Sequence, residues 1–142
     1  MNTTDIPFNK FLGLQKASEP NNLLELIENK DYENHLGTVH ASAQFALAEA
    51  SSGEYLLHRF REYSKKIVPV VRHVEVKYKK PAKGNLYSQA TLRDDIAEQS
   101  IRKLETKGRA IFPVMVEIKD TKGNVTMVAT VEWFVQTIEA SG

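Results

Sequence analysis

Apolar residues fall on every face of the stretch 39–50, VHASAQFALAEA, and no β-branched residue follows Val39. Ala, Leu, Gln, Phe and Glu all tolerate helix. A helix without a continuous polar face is one surrounded by protein. Ser51, Ser52 and Gly53 interrupt the apolar run, and 54–66, EYLLHRFREYSKK, reads as a second, amphipathic helix with Leu56, Leu57 and Phe60 as its stripe. The pattern leaves open whether the two segments form one kinked helix.

The period then changes to that of a strand. In 67–80 the apolar Val68, Val70, Val74, Val76 and Tyr78 alternate with His73, Glu75, Lys77 and Lys79. PAKGN at 81–85 is a turn, and 86–98 is predicted as a further strand. AIFPVMVEI at 110–118 and VTMVATVEWFVQTI at 125–138 are two more, joined through the hairpin signal DTKGN at 120–124. Pro113 inside its run points to an edge or a bulge. Trp133 and Phe134 face opposite ways, so at most one is core, and a subunit partner is a candidate cover for the other.

Ahead of the central helix, 23–29 (LLELIEN) is predicted as the first strand, although Leu and Glu suit helix equally. TDIPFNKFLGLQK at 4–16 reads as a short helix or partly helical arm, with Asp5 as cap and Pro7 in the first turn, ended by Pro20, Asn21 and Asn22. The sum is β-α-β-β-β-β, an α+β chain of long antiparallel strands beside one buried helix. It divides into an N-terminal arm, 1–21, and a single domain, 22–142.

Composition narrows the function classes. The 142 residues, 42% hydrophobic, are enough for one domain with a core. Nineteen basic against eighteen acidic residues leave a net charge of +1, so a broad nucleic-acid footprint is not expected. The absence of Cys excludes disulfides, thiolate nucleophiles and Cys-based zinc sites. No apolar run reaches the ~18–20 residues that span a bilayer, and MNTTDIPFNKF lacks the form of a secretory signal. The expectation is a cytoplasmic protein with no membrane partner.

One residue stands against the helix pattern. Glu49 is the only ionisable side chain once the central helix is under way. A carboxylate among apolar neighbours is costly unless it is paired, neutralised or used. Burial moves its pKa up, towards the range where a carboxylate serves as a base near neutral pH. The bland alternative is a surface acid, or one salt-bridged to Arg72.

The spacing N-x-x-G-T-V-H, at Asn34, Gly37, Thr38, Val39 and His40, precedes an alanine-rich helix with an acid nine residues beyond the His. This resembles the hotdog-fold acyl-CoA thioesterases of the PaaI-like group, as does the later VRHVEVKYKKPAKGN. The likeness covers roughly 22–138. It implies a long antiparallel sheet wrapped around a central helix, and hydrolysis of an acyl thioester of coenzyme A. It further implies Glu49 as general base or nucleophile, the Ala41 N–H at the helix start as oxyanion donor, and Asn34 orienting water or base. His40 shapes the oxyanion site in that family; a helix cap is its plain alternative, and with His35 and Asp31 it makes no convincing metal set. Gly37 is the backbone device of a tight turn into the helix, and Asn34 by itself is a turn residue.

Two departures bear on specificity. Ala41-Ser42 stands where the family usually has Gly-Gly, which restricts the backbone beside a ligand. Val71 and Arg72 stand where many relatives carry Ser or Thr, with Arg72 on the inward row, placed to pair with Glu49 or to bind an acidic part of the substrate. Lys79, Lys80, Lys83 and Arg109 are candidates for the coenzyme A phosphates, against the plain reading of solvated charges. No separate cofactor or metal is implied, coenzyme A being part of the substrate. The expected partners are an acyl-CoA and further copies of the chain, as a homodimer or tetramer whose sheets pair edge to edge through their first strands. A hotdog protein that binds an acyl or aromatic ligand without hydrolysis is the main rival. A dehydratase or hydratase of the same fold fits the spacing poorly, and a nucleic-acid module is disfavoured by the charge balance.

Overall fold

The structure, a computed structural model, describes residues 2–138. Six strands form one sheet: β1 (Gln15–Lys16), β2 (Leu24–Leu26), β3 (Ile67–Tyr78), β4 (Leu86–Thr91), β5 (Arg109–Lys119) and β6 (Val125–Thr137). Their spatial order is β1-β2-β4-β5-β6-β3, and all five neighbouring pairs are antiparallel. Three helices accompany them: α1 (Pro7–Phe11), α2 (Ala41–Arg59) and α3 (Asp94–Lys107).

Strand alternation builds the core. Phe112, Val114, Val116 and Ile118 of β5 and Met127, Val131, Trp133 and Val135 of β6 are buried on one face. Across that face lies α2, with Leu47 and Leu56 fully enclosed. The sheet thus wraps a central helix, the arrangement expected from the sequence. No helix among the described residues is long and apolar enough to cross a membrane.

Several expectations need correction. The alternative left open at Ser51-Ser52-Gly53 resolves to one helix, α2 of 19 residues, and the second helix read over 54–66 is cut back: 54–59 continue α2, while 60–66 form turns. These small residues are packing devices. Ser51 Oγ donates to Leu47 O and is hydrogen-bonded at 2.6 Å to the Ser88 hydroxyl, Ser52 Oγ donates to Glu49 O, and Trp133 Nε1 donates to Ser52 Oγ at 2.9 Å. A Cβ on Gly53 would stand 3.2 Å from the Trp133 ring. Trp133 is therefore the core member of the Trp133/Phe134 pair.

The strand predicted over 86–98 stops at Thr91, and α3, which the strand reading missed, begins at Asp94. Asp94 and Asp95 occupy its first turn and Gly108 caps its end at φ 75°. Because β4 ends opposite Met115, the start of β5 lacks a strand neighbour on that side. Helix α3 covers this gap, and Ser100 Oγ donates to Ile111 O at 2.7 Å. Pro113 lies in the same stretch, paired only with β6, so its edge character is real.

The arm is shorter in helix than expected. Asp5 does not cap α1: it ends a 3₁₀ turn, and Ile6 stands at the N-cap with Pro7 first in the helix. Leu14 enters the core, and Gln15 and Lys16 pair with β2, so the arm is stitched to the sheet. The strand expected over 23–29 is reduced to three residues. In β3 the apolar row expected over Val68, Val70, Val74 and Val76 is split by a bulge after Val71: Val68 and Val70, 49% and 54% exposed, lie opposite Gln136 and Phe134 on the outer face, while Val74 and Val76 lie opposite Val131 and Ala129 towards the core.

Candidate active site

Helix geometry aligns Ser42, Phe45, Ala46 and Glu49, residues three and four apart, on one face of α2. They line a cavity of about 510 Å³ together with Ala41, Phe8 of α1 and Tyr78 of β3. Glu49 is half-buried and has no ion-pair partner among the described residues. Burial among these apolar walls raises its pKa above the usual 4.5. Its backbone is fixed from behind by the Trp133–Ser52–Glu49 chain of hydrogen bonds.

The mouth of the cavity is the start of α2. His40 is the N-cap, its Nδ1 accepting from the Ser42 N–H at 2.9 Å, so the plain capping alternative describes it. The Ala41 N–H has no hydrogen-bond partner among the described residues, while the Ala41 carbonyl accepts from Tyr78 Oη at 3.1 Å. One unpaired amide thus remains at the positive end of a 19-residue helix. A phenol with the usual pKa of 10.0 is a donor at neutral pH, and partial burial of Tyr78 moves its pKa further up.

Other candidates lie elsewhere. Asn34 spends its side chain on its own loop: Oδ1 accepts from Leu36 N and Thr38 N, and Nδ2 donates to Thr38 Oγ1. Gly37, at φ 73°, closes that loop and lines a small cavity with Lys83, away from Glu49. Lys79 and Lys80 are exposed at the end of β3 and line none of these cavities. Arg72 is not inward and does not pair with Glu49. It sits exposed at a β-bulge between Val71 and His73, which turns it to the outer side of the sheet. There it shares a cavity with Arg109, the Lys103 and Lys107 of α3, and Phe134. A larger hollow, about 840 Å³, is an open stretch of outer sheet face between β3, β4, β5 and β6, with Met115 on its floor. It contains neither Glu49 nor the helix start.

Phe8, Phe45 and Tyr78 were missed as site residues. Phe45 was recoverable from its four-residue spacing to Glu49. The other two arrive by tertiary packing from an arm and an edge strand, for which the sequence carries no local signal.

A family model described as a domain of unknown function (DUF4442) matches residues 17–135. No curated protein matches the chain. Among solved structures it is similar to a Pseudomonas aeruginosa protein of unknown function described as a probable thioesterase. The two share 24% identity over 96% of this chain and 91% of that one, with a TM-score of 0.77. It is also similar to the Escherichia coli PaaI protein from the phenylacetic acid degradation operon, at 14% identity, 96% and 87% coverage and a TM-score of 0.66. A third is a Bacillus halodurans protein solved with CoA, at 18% identity, 79% and 69% coverage and a TM-score of 0.62. At these identities the likeness establishes the shared architecture. The chain has the hotdog fold of the thioesterase-superfamily structures and belongs to the DUF4442 domain family.

Proposed function

We propose that this protein hydrolyses an acyl thioester of coenzyme A, with Glu49 as general base or nucleophile and the Ala41 N–H as oxyanion donor. The observation that carries the reading is a partly desolvated carboxylate with no cation partner among the described residues, in an apolar cavity on a helix whose start offers one unpaired amide. A carboxyl with a raised pKa takes a proton from water more readily than an exposed one. An amide fixed at a helix tip stabilises the charge that develops on the carbonyl oxygen without having to reorganise. The CoA in the Bacillus halodurans relative and the probable-thioesterase description of the Pseudomonas aeruginosa one support the substrate class.

Ala41 and Glu49 are eight residues apart, about 12 Å along the helix axis. Glu49 leans back towards the N-terminus by a few ångströms, and that leaves direct attack on a carbonyl held by the same chain's Ala41 out of reach. We therefore place the complete site between two copies, the helix tip of one meeting the carboxylate of the other. The edge of β3, the last strand of the sheet order with β6 as its one strand neighbour among the described residues, is the border through which such copies would pair, in place of the first strands.

Thiol release from a panel of acyl-CoAs tests the reading. Glu49→Gln keeps size and polarity and is expected to lower kcat by about 10²–10⁴-fold with KM little changed. A second reading, ligand binding without hydrolysis, is favoured by one observation: the Ser42 N–H and the Asn34 amide are already spent on intrachain bonds. Equal, slow thiol release by wild type and Glu49→Gln, with ligand still bound, would select it.

A further inference from the structure

On the sheet face away from α2, α3 and the first half of β5 border an open hollow of about 440 Å³ whose cationic side chains are exposed. Four cations line it: Arg72 from the β3 bulge, Lys103 and Lys107 from α3, and Arg109 at the start of β5. Among the described residues no carboxylate is in its lining, and none of the four cations has a carboxylate oxygen within 4.0 Å. Glu132, in register with Pro113, is the nearest acid by strand pairing and stays outside the lining. In a chain whose net charge is only +1, this is a strong local segregation of charge.

The arrangement has a cost that calls for an explanation. Lys103 and Lys107 stand at i and i+4, where like charges destabilise a helix by a few tenths of a kcal/mol. Lys107 is partly accounted for, since it lies in the last turn and complements the negative end of α3. Lys103, Arg72 and Arg109 have no such role. Between the cations the floor is apolar, formed by the half-buried Ile111 and Phe134. The volume is far larger than one phosphate needs and falls in the usual range for a small organic ligand. Phosphates suit the cationic wall, because guanidinium groups bind them bidentately and ammonium groups as point charges. A flat heterocycle suits the Phe134 side.

We propose that this cavity is a nucleotide-binding site, the four cations holding the phosphates and the base lying over Ile111 and Phe134. It shares no lining residue with the Glu49 cavity and stands independently of the hydrolase reading. The shared chemistry has two sources: the phosphorylated nucleotide end of coenzyme A, and a free nucleoside polyphosphate.

Calorimetric titration with 3′,5′-ADP and with ATP, on wild type and on Glu49→Gln, tests the proposal and separates the sources. At least one probe is expected to bind saturably, and equally to both proteins. Lys103→Ala/Lys107→Ala is expected to weaken it about tenfold or more through loss of two charge-assisted contacts. Lys79→Ala/Lys80→Ala, the same charge change outside the cavity, is expected to leave it nearly unchanged, with the melting temperatures showing all variants folded. Tighter 3′,5′-ADP assigns the site to the coenzyme A end, and tighter ATP to a free nucleotide. Absence of saturable binding of both probes up to millimolar concentration, or equal weakening by the two double variants, overturns the proposal.

Discussion

A single carboxyl group sets the pH behaviour expected of this protein. Glu49 holds its proton more tightly folded than unfolded, because burial disfavours the charged form. Between the usual 4.5 and the raised folded value, the folded state carries more protons than the unfolded one. Stability therefore falls as pH rises through that window, and the deficit stays in place at neutral pH. Glu49→Gln removes this dependence. Its melting temperature should exceed that of wild type at neutral pH and converge with it in acid well below 4.5. Parallel melting curves at every pH would show that the carboxyl gains its environment only in an assembly or not at all. Gly53 is a second residue where opposing magnitudes can be weighed. Gly→Ala inside a helix ordinarily gains about 0.8–1 kcal/mol. Here the new methyl would meet Trp133 at 3.2 Å, and the indole is pinned by its bond to Ser52. Overpacking of this kind costs about 1–3 kcal/mol, so Gly53→Ala should lower the midpoint of urea denaturation. A rise would mean that the ring slides aside and that the Ser52 bond is weak.

At the scale of elements, what was legible in the sequence followed from period and spacing. The apolar helix, three of the long strands and the DTKGN hairpin were read correctly because each repeats its period over many residues. The hidden elements were those where the period changes within a short space. LYSQATL alternates as a strand up to Leu92, and the switch to helical spacing at Ala97, Ile101 and Leu104 was overrun. Ser51-Ser52-Gly53 resembles a loop in composition, yet its small side chains exist to admit Trp133 and Ser88, partners far away in sequence. Arg72 was misplaced because a one-residue bulge reverses every facing after it. The candidate site divides in the same way. Glu49, Ala41 and Ser42 share one helix and were legible together, whereas Phe8 and Tyr78 come from separate elements. Helix α3 offers a direct test of this scale. If its task is to close the unpaired edge of β5, then Ser100→Ala leaves the part-buried Ile111 carbonyl without its donor. That should cost about 1–3 kcal/mol and speed amide hydrogen exchange at the start of β5 more than in β6. Uniform exchange across both strands would assign α3 a role other than edge cover.

At the scale of the whole molecule, the decisive question is whether one chain or two make the catalytic centre. Ala41 is the first residue of α2, a position where proline is tolerated because its missing N–H would be unsatisfied anyway. His40 already has the extended backbone, φ −58° and ψ 140°, that precedes proline. Ala41→Pro therefore deletes the proposed oxyanion donor while leaving the helix in place, and a loss of about 10²–10³-fold in kcat is expected. Glu49→Gln deletes the other half. If each centre combines the tip of one copy with the carboxylate of its partner, a dimer of the two variants contains one intact centre and one doubly defective one. Random mixing makes half of the dimers hybrid, so unfolding and refolding an equal mixture should restore about one quarter of wild-type activity in a C₂ dimer. A centre built within one chain predicts no recovery, because every polypeptide then carries a defect in its own site. Lysine at Val68 and Val70, placed on the exposed edge of β3, should abolish the recovery and shift the sedimentation velocity to that of a monomer. Recovery that survives those lysines would move the interface away from β3 while keeping the centre shared.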